Sequence, residues 1–249
     1  MSEERGTLTR PDGTPLAWAA LPGEGPTVVF LGGFRSDMEG SKALHLRDHC
    51  AARGRAFLRL DYSGHGISGG AFEDGTIGTW AEDAAQVIEA RAPGPLVLVG
   101  SSMGGWIALL LARRLGRERV RGVIGLAAAP DFTEALMPGE FSEADRAALE
   151  RDGVLRRPSQ YGEPIPITRC LLEEGRNHLL LPGPIPYDGP VRLLQGMADP
   201  DVPWRHALRI VEALPGPDTV LTLIKDGNHR LSRPQDLALL SRELDALPL

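Results

Sequence analysis

The sequence contains little cysteine and no long apolar run, and both absences limit the cellular compartments in which we expect the protein. Its 249 residues include two cysteines, Cys50 and Cys170. Two thiols are too few for a disulfide framework, which favours a reducing compartment. No apolar stretch reaches the ~18 residues of a membrane span, and residues 1–5 lack the apolar core of a signal peptide. We therefore expect a cytoplasmic protein with no membrane span.

An excess of positive charge is also absent. The chain has 27 Lys and Arg against 33 Asp and Glu, for a net charge of -6 at pH 7. This acidic balance argues against nucleic acid as the main partner. The length suits one large domain with a deep core, so we predict that residues 1–249 form a single domain.

Short apolar runs alternate with longer amphipathic ones, which is typical of a mostly parallel sheet with helices on both faces. The predicted strands are Thr27–Leu31, Ala56–Leu60, Leu96–Val99, Arg121–Leu126, Val191–Gln195 and Thr219–Ile224. The predicted helices are Lys42–Arg53, Thr79–Ala92, Met103–Leu115, Trp204–Leu214 and Pro234–Ala246. A Pro-Asp-Gly-Thr turn near the start predicts an opening antiparallel hairpin.

The segment 131–190 interrupts this alternation. It is rich in proline and charge and is far longer than a usual connection between strands. Helical patterns at Ser142–Arg151 and Ile167–Gly175 predict that it forms a small helical cap or lid within the domain. An insertion after a strand end would cover the carboxyl edge of the sheet, where open α/β sheets bind ligands.

The strongest functional signal is the string L-V-L-V-G-S-S-M-G-G-W at residues 96–106. It contains G-x-S-x-G as Gly100, Ser102 and Gly104, after a predicted strand and before a predicted helix, the context of a nucleophile elbow. The sharp turn at the serine requires small flanking residues, and glycine has no Cβ. The pattern predicts an α/β-hydrolase fold with Ser102 as nucleophile.

A serine nucleophile needs a base that takes its proton and an acid that orients the base. In this fold the acid and then the base follow the serine along the chain. Of the histidines after Ser102, His178 falls in the predicted cap, and His206 falls in an amphipathic helix, where we expect a surface position. His229 lies in a polar loop after the last predicted strand. We predict that His229 is the base.

Two aspartates at strand ends compete for the role of the acid. Asp199 follows a predicted strand within a tight turn, and Asp131 follows the preceding strand, where some hydrolases place this residue. Asp201 lies two residues further on, and we expect it to cap the next helix. The tight turn around Asp199 favours it over Asp131.

The tetrahedral intermediates of acyl transfer need N–H donors aimed at the developing oxyanion. One predicted donor is the backbone N–H of Met103, directly after the nucleophile. The second is the backbone N–H of Phe34, because Gly32 and Gly33 would let its loop approach closely. The alternative is that residues 32–34 form a simple glycine-rich turn.

Two other motifs do not predict a cofactor or a metal. Residues 64–69 match G-x-G-x-x-G, but no helix pattern follows, so we expect a structural turn beside the site. His45 and His49 have the spacing of zinc ligands without the glutamate of H-E-x-x-H, so a helix surface is expected.

Several longer strings carry a more specific resemblance. They are D-Y-S-G-H-G at 61–66, V-G-S-S-M-G-G-W at 99–106, P-S-Q-Y at 158–161, P-G-P-I-P at 182–186, R-L-L-Q-G-M-A-D at 192–199 and N-H-R at 228–230. Together they resemble the mitochondrial acyl-protein thioesterase and acyl-glucuronide esterase branch of the α/β-hydrolase superfamily. The resemblance implies a triad of Ser102, Asp199 and His229. The loop L-G-G-F-R-S at 31–36 departs from the branch, which has a proline-glycine-aromatic string there.

The resemblance implies hydrolysis of a carboxylic ester or an acyl thioester through an acyl-enzyme on Ser102, without a cofactor. The substrate would be a small molecule or an acylated protein. A long acyl chain would need apolar cap residues, and an acyl glucuronide would need cationic ones. The apolar candidates are Leu171, Leu172 and residues 179–181, and the polar candidates are Arg169, Arg176 and His178; packing or surface exposure is the alternative for each. A C–C bond hydrolase and a non-catalytic ligand-binding protein remain as alternative functions.

Overall fold

The computed structural model describes residues 2–159 and 162–248. Its strands, in chain order, are β1 Glu4–Thr9, β2 Pro15–Leu21, β3 Glu24–Leu31, β4 Arg55–Leu60, β5 Leu96–Ser101, β6 Val120–Leu126, β7 Val154–Ser159, β8 Gly162–Thr168, β9 Val191–Gly196 and β10 Thr219–Ile224. Eight of them form one sheet in the order β1-β2-β4-β3-β5-β6-β9-β10. β1 and β2 form an antiparallel hairpin. The other strands, in the sheet order β4-β3-β5-β6-β9-β10, each pair in parallel with their neighbours in this series.

Helices cover both faces of this sheet, as the sequence predicts. They are α1 Ser41–Ala52, α2 Ile77–Arg91, α3 Met103–Arg119, α4 Phe132–Ala135, α5 Glu143–Asp152, α6 Arg169–Gly175, α7 Trp204–Ala213 and α8 Pro234–Asp245. Residues of α2, α3 and α7 belong to the larger apolar cluster, and residues of α1 and α8 to the cluster on the opposite face.

The central strand β5 shows why the sheet needs both layers. Leu96 and Leu98 lie in the larger cluster, whereas Val97 and Val99 lie in the opposite one, and all four are fully buried. Successive side chains of a strand point to opposite faces, so an uninterrupted apolar run is the expected pattern for a strand covered on both sides.

The 131–190 insertion contains the two predicted helices as α5 and α6, and the structure adds an antiparallel pair of strands, β7 and β8. Arginines and prolines in these strands conceal their alternation in the sequence. Proline is tolerated at sheet edges, and both strands of a two-stranded sheet are edges. Gln160 and Tyr161, half of one string in the resemblance above, lie outside the described residues.

No helix in the described ranges has both the length and the apolar character that crossing a bilayer requires.

Candidate active site

Three parallel strands end at the same edge of the sheet, and each is followed by one of the predicted site residues. Ser102 comes directly after β5, Asp199 follows β9, and His229 follows β10. Because β5, β6, β9 and β10 run in parallel, their carboxyl ends meet at one edge. The fold therefore brings together residues separated by as many as 127 positions.

The side chains of these residues form a continuous hydrogen-bonded series. His229 Nε2 lies 3.1 Å from Ser102 Oγ, and His229 Nδ1 lies 2.9 Å from Asp199 Oδ2. A carboxylate accepts only, so the Nδ1–H tautomer of His229 fits this arrangement and leaves Nε2 to accept the serine proton. The predicted Ser102, His229 and Asp199 thus meet in the order that acyl transfer requires.

Hydrogen bonds fix the carboxylate of Asp199. Its Oδ1 accepts the backbone N–H groups of Asp201 and Val202, both at 2.9 Å, and its Oδ2 accepts Gln195 Nε2 at 3.2 Å as well as His229. Burial acts to raise the pKa of Asp199, but the interactions with His229, Val202 and Asp201 outweigh it and hold that pKa below the usual value. The side chain is therefore a preorganised anion with no solvent exposure.

The backbone around Ser102 has the geometry of a sharp elbow. Ser102 itself has φ 54° and ψ -117°, an uncommon conformation for a residue with a Cβ. A Cβ on Gly100 would lie 2.2 Å from the carbonyl oxygen of Gly104, and one on Gly104 would lie 2.0 Å from that of Leu31. Both glycines of the motif are therefore required by close backbone contacts.

The loop after β3 lies against the elbow, as the sequence predicts for an oxyanion site. A Cβ on Gly33 would lie 3.4 Å from the Cβ of Ser102. The backbone N–H of Phe34 has no acceptor among the described residues. Met103 is the first residue of α3, where helix geometry leaves the N–H without an intrahelical partner. Both predicted donors are thus placed close to the serine.

His65 supports this loop, a contribution that the sequence analysis did not assign. Its Nε2 accepts the backbone N–H of Arg35 at 3.3 Å, and its Nδ1 donates to the carbonyl of Ser63 at 3.2 Å. Arg35 has φ 60°, so the bond holds a strained residue beside Phe34. Burial lowers the pKa of His65 to about 4, which keeps the ring neutral. The histidine within G-H-G was the available sequence signal.

The rival aspartates have other roles. Asp131 is buried, and its carboxylate accepts the backbone N–H groups of Leu180 and Leu181, both at 2.8 Å. It therefore anchors the far end of the insertion. The expectation that Asp201 caps α7 is wrong, because Asp201 is exposed and the N-cap residue of α7 is Pro203, which offers no side-chain hydrogen bond.

The other histidines are also engaged away from Ser102. The expected surface position of His206 is wrong: only 4% of it is exposed, and its Nε2 donates to the Pro130 carbonyl at 2.8 Å. His178 pairs with Glu174 in the insertion. His45 and His49 bond to Ser241 and Asp245 of α8.

Within the described residues, Asp199, Asp201 and His229 offer ligand atoms within 4.8 Å of one another, a spacing that a metal ion could use. The two Asp199 oxygens already accept four hydrogen bonds, and His229 Nδ1 faces one of them. A cation there would have to displace the bond between Asp199 and His229. The donor set fits proton transfer better than metal binding.

Comparison with known proteins identifies the relatives of this chain. Residues 26–157 match the family model of the α/β hydrolase fold. A human protein named palmitoyl-protein thioesterase ABHD10, mitochondrial, is 37% identical over 96% of this chain and 78% of its own length. The mitochondrial location is that relative's, and the cytoplasmic location remains a prediction for this chain.

Two solved structures resemble the whole fold. A putative hydrolase from Agrobacterium vitis S4 has a TM-score of 0.94 and 44% identity, covering 99% of both chains. Alpha/beta hydrolase domain-containing protein 10 from mouse has a TM-score of 0.89 and 35% identity, covering 98% of both chains. The predicted resemblance to the mitochondrial thioesterase branch is confirmed, and the chain is an enzyme that belongs to the α/β hydrolase family.

Proposed function

We propose that this protein hydrolyses acyl thioesters and carboxylic esters through an acyl-enzyme on Ser102, with His229 as the base and Asp199 as its orienting acid. The observation that carries the proposal is the series of 3.1 Å and 2.9 Å contacts through His229 at the carboxyl edge of the sheet. A serine is a weak nucleophile without such a base, and the buried Asp199 anion stabilises the imidazolium that forms.

Acylation begins when Ser102 Oγ attacks the substrate carbonyl while His229 Nε2 takes the hydroxyl proton. The carbonyl oxygen becomes an oxyanion that accepts hydrogen bonds from the N–H groups of Phe34 and Met103. The N-terminus of α3 adds favourable electrostatic potential at the same point. Each such donor is worth about 3 kcal/mol in the transition state.

Acylation is completed when His229 acts as an acid. His229 donates its proton to the departing thiol or alcohol, and water then enters. His229 takes a proton from that water as it attacks the acyl carbonyl, and Ser102 leaves with the proton restored. The products are a carboxylic acid and a thiol or alcohol, and no redox cofactor is required for the balance.

The thioester is the favoured substrate class over an acyl glucuronide. Each cationic candidate in the insertion already faces a carboxylate: Arg176 lies 2.8 Å from Glu134, Arg169 lies 3.7 Å from Glu173, and His178 bonds to Glu174. The related human protein is named a palmitoyl-protein thioesterase. Among the apolar candidates, Leu171 and Leu180 are core residues, which leaves the partly buried Leu172, Leu179 and Leu181 as the candidates for substrate contact.

Replacement of the nucleophile tests the proposal. Ser102→Ala should abolish hydrolysis of p-nitrophenyl esters and labelling by a fluorophosphonate probe, with an unchanged circular dichroism spectrum. The matched control is Ser101→Ala, which leaves Ser102 in place. Turnover retained by Ser102→Ala would refute the nucleophile assignment. A comparison of kcat/KM on matched palmitoyl oxo- and thioesters then tests the substrate class, and a preference for the oxoester would contradict it.

A further inference from the structure

His229 lies in a short loop, residues 228–232, which we call the base loop. Asn228 Oδ1 accepts the backbone N–H groups of Arg230 at 3.1 Å and Leu231 at 3.4 Å. Leu231 has φ 43° although its side chain is buried in the apolar cluster between the sheet and α8. The loop that carries the proposed base therefore contains a strained residue two positions after it, and its shape depends on bonds that hold it.

One of those bonds comes from a distant part of the chain. Lys42, the second residue of α1, donates from Nζ to the carbonyl oxygen of Arg230 at 2.5 Å and lies 3.5 Å from Ser232 Oγ. The Ser232 hydroxyl donates to the same carbonyl at 2.8 Å. The helix α1 follows the loop that contains Phe34, the predicted oxyanion donor. Lys42 therefore connects the base loop to the helix that follows this loop.

Lysine is rare in this chain, and one of its two lysines lies at this position. Lys42 and Lys225 are the only lysines among 27 basic residues. A lysine ammonium is a compact donor on a flexible stem, and it can serve a carbonyl and a hydroxyl that lie side by side, whereas the planar fork of arginine suits paired carboxylate oxygens. Lys225 is exposed at the end of β10, four residues before His229.

We propose that Lys42 is a positioning residue for His229, acting through the carbonyl of Arg230, and this inference rests on the proposed function. The Arg230 carbonyl belongs to the residue directly after His229, so its orientation influences where the imidazole points. The contact of His229 Nε2 with Ser102 Oγ, at 3.1 Å, is already near the long end of a hydrogen bond. A small rotation of the loop would lengthen it and slow proton transfer.

The charge on Lys42 gives this role a pH signature. Burial, together with the charge of Arg230, lowers the pKa of Lys42 to about 8, and Asp236 of α8 acts in the opposite direction. Above that pH the ammonium becomes a neutral amine, and its hydrogen bond to the carbonyl loses charge assistance. We expect kcat to decline as Lys42 loses its proton.

The test compares Lys42→Met, Lys42→Arg and Lys225→Met in the full chain. Lys42→Met keeps the aliphatic stem and removes the donors. It should lower kcat and the rate of fluorophosphonate labelling about tenfold, as expected for loss of one charge-assisted hydrogen bond, with KM changed less than twofold. Lys42→Arg keeps the charge but not the compact donor, so it should restore part of kcat and abolish the decline near pH 8, and Lys225→Met should match the wild type.

The low-field proton resonance of His229 Nδ1–H provides a readout independent of turnover, and Lys42→Met should shift or broaden it. Lys42→Met with wild-type kcat, labelling rate and pH profile but a lower Tm would overturn the inference and leave a purely structural role. An equal loss in Lys225→Met would overturn it as well. If the wild type is neither labelled nor active on esters, the proposed function fails first, and the role of Lys42 fails with it.

Discussion

At the scale of single residues, two buried aspartates with similar sequence contexts have different hydrogen-bond partners. Both follow a parallel strand, and both accept two backbone N–H groups. Only Asp199 also meets His229, at 2.9 Å. Asp131 instead uses its oxygens to hold residues 180 and 181. The difference lies in the partners, which strand spacing does not specify.

This difference predicts opposite outcomes for two isosteric substitutions. Asp199→Asn should lower kcat about 10³- to 10⁴-fold, because the imidazolium loses its counter-charge and the Nδ1–H tautomer its acceptor. Asp131→Asn should keep kcat within about threefold and lower the free energy of unfolding by about 1–3 kcal/mol, since the amide leaves one N–H without an acceptor. Steady-state kinetics and urea denaturation measure both effects. Loss of activity in Asp131→Asn alone would reverse the assignment.

His65 predicts a pH dependence of stability. Its pKa is about 4 in the folded protein and near 6.5 in the unfolded chain, so unfolding takes up a proton between these values. The free energy of unfolding should therefore fall as pH drops from 6.5 to 4, by up to about 3 kcal/mol from this residue.

His65→Gln removes the titration while its side-chain oxygen can still accept the Arg35 N–H. The variant should lose less stability than the wild type over the same pH range, measured by denaturation at each pH. Parallel curves for the two proteins would contradict the assigned protonation state. His206, whose pKa is also lowered, contributes equally to both proteins and cancels in the difference.

At the scale of elements, the elbow joins β5 to α3 under tight steric limits. The helix starts so close to β3 that the carbonyl of Leu31 occupies the space of a Cβ on Gly104. This contact places the N-terminus of α3 beside the oxyanion loop. The close approach of backbone to backbone thus serves both the packing and the proposed chemistry.

Gly104→Ala should consequently disturb folding. Its Cβ would lie 2.0 Å from a backbone oxygen that cannot move aside easily, so we expect a loss of more than about 3 kcal/mol in the free energy of unfolding. Gly94→Ala is the matched control, because its Cβ meets nothing within 4 Å. Chemical denaturation and soluble yield measure the effect. Equal stability of both variants would show that the elbow relaxes.

Most elements were predictable from the sequence, because a strand buried on both faces leaves an apolar run and an amphipathic helix leaves a period of 3.6 residues. The antiparallel pair of β7 and β8 was not, since its arginines and prolines obscure both signals. Ser102, Asp199 and His229 followed from motif context and chain order. The burial of His206 and the contact of His65 with Arg35 depend on partners far away in sequence, which no local pattern reveals.

At the scale of the whole molecule, the two edges of the sheet differ in protection. The outer strand β1 carries Glu4 and Arg5, and charged side chains discourage pairing with another chain. The opposite edge, β10, has the sequence T-V-L-T-L-I without a charge, and Val220 and Leu223 are 44% and 38% exposed. An uncharged edge strand with exposed apolar side chains is a site for edge-to-edge association.

Val220→Lys should therefore slow aggregation on heating, measured as light scattering just below Tm, and should leave kcat within about twofold because the residue is remote from the sheet's carboxyl edge. Val220→Thr is the control that keeps the β-branched shape without a charge, and it should aggregate more nearly like the wild type. Equal rates for all three proteins would show that association occurs elsewhere.

Through its carboxylate, Asp131 binds the backbone of residues 180 and 181, which follow it by about fifty positions. The two ends of the segment between them are therefore held together at one residue. Because these hydrogen bonds fix both ends of the segment, we expect it to be exchangeable with the corresponding segments of relatives. Recombination confined to 136–178 would then be a direct way to diversify substrate range while Ser102, His229 and Asp199 stay untouched.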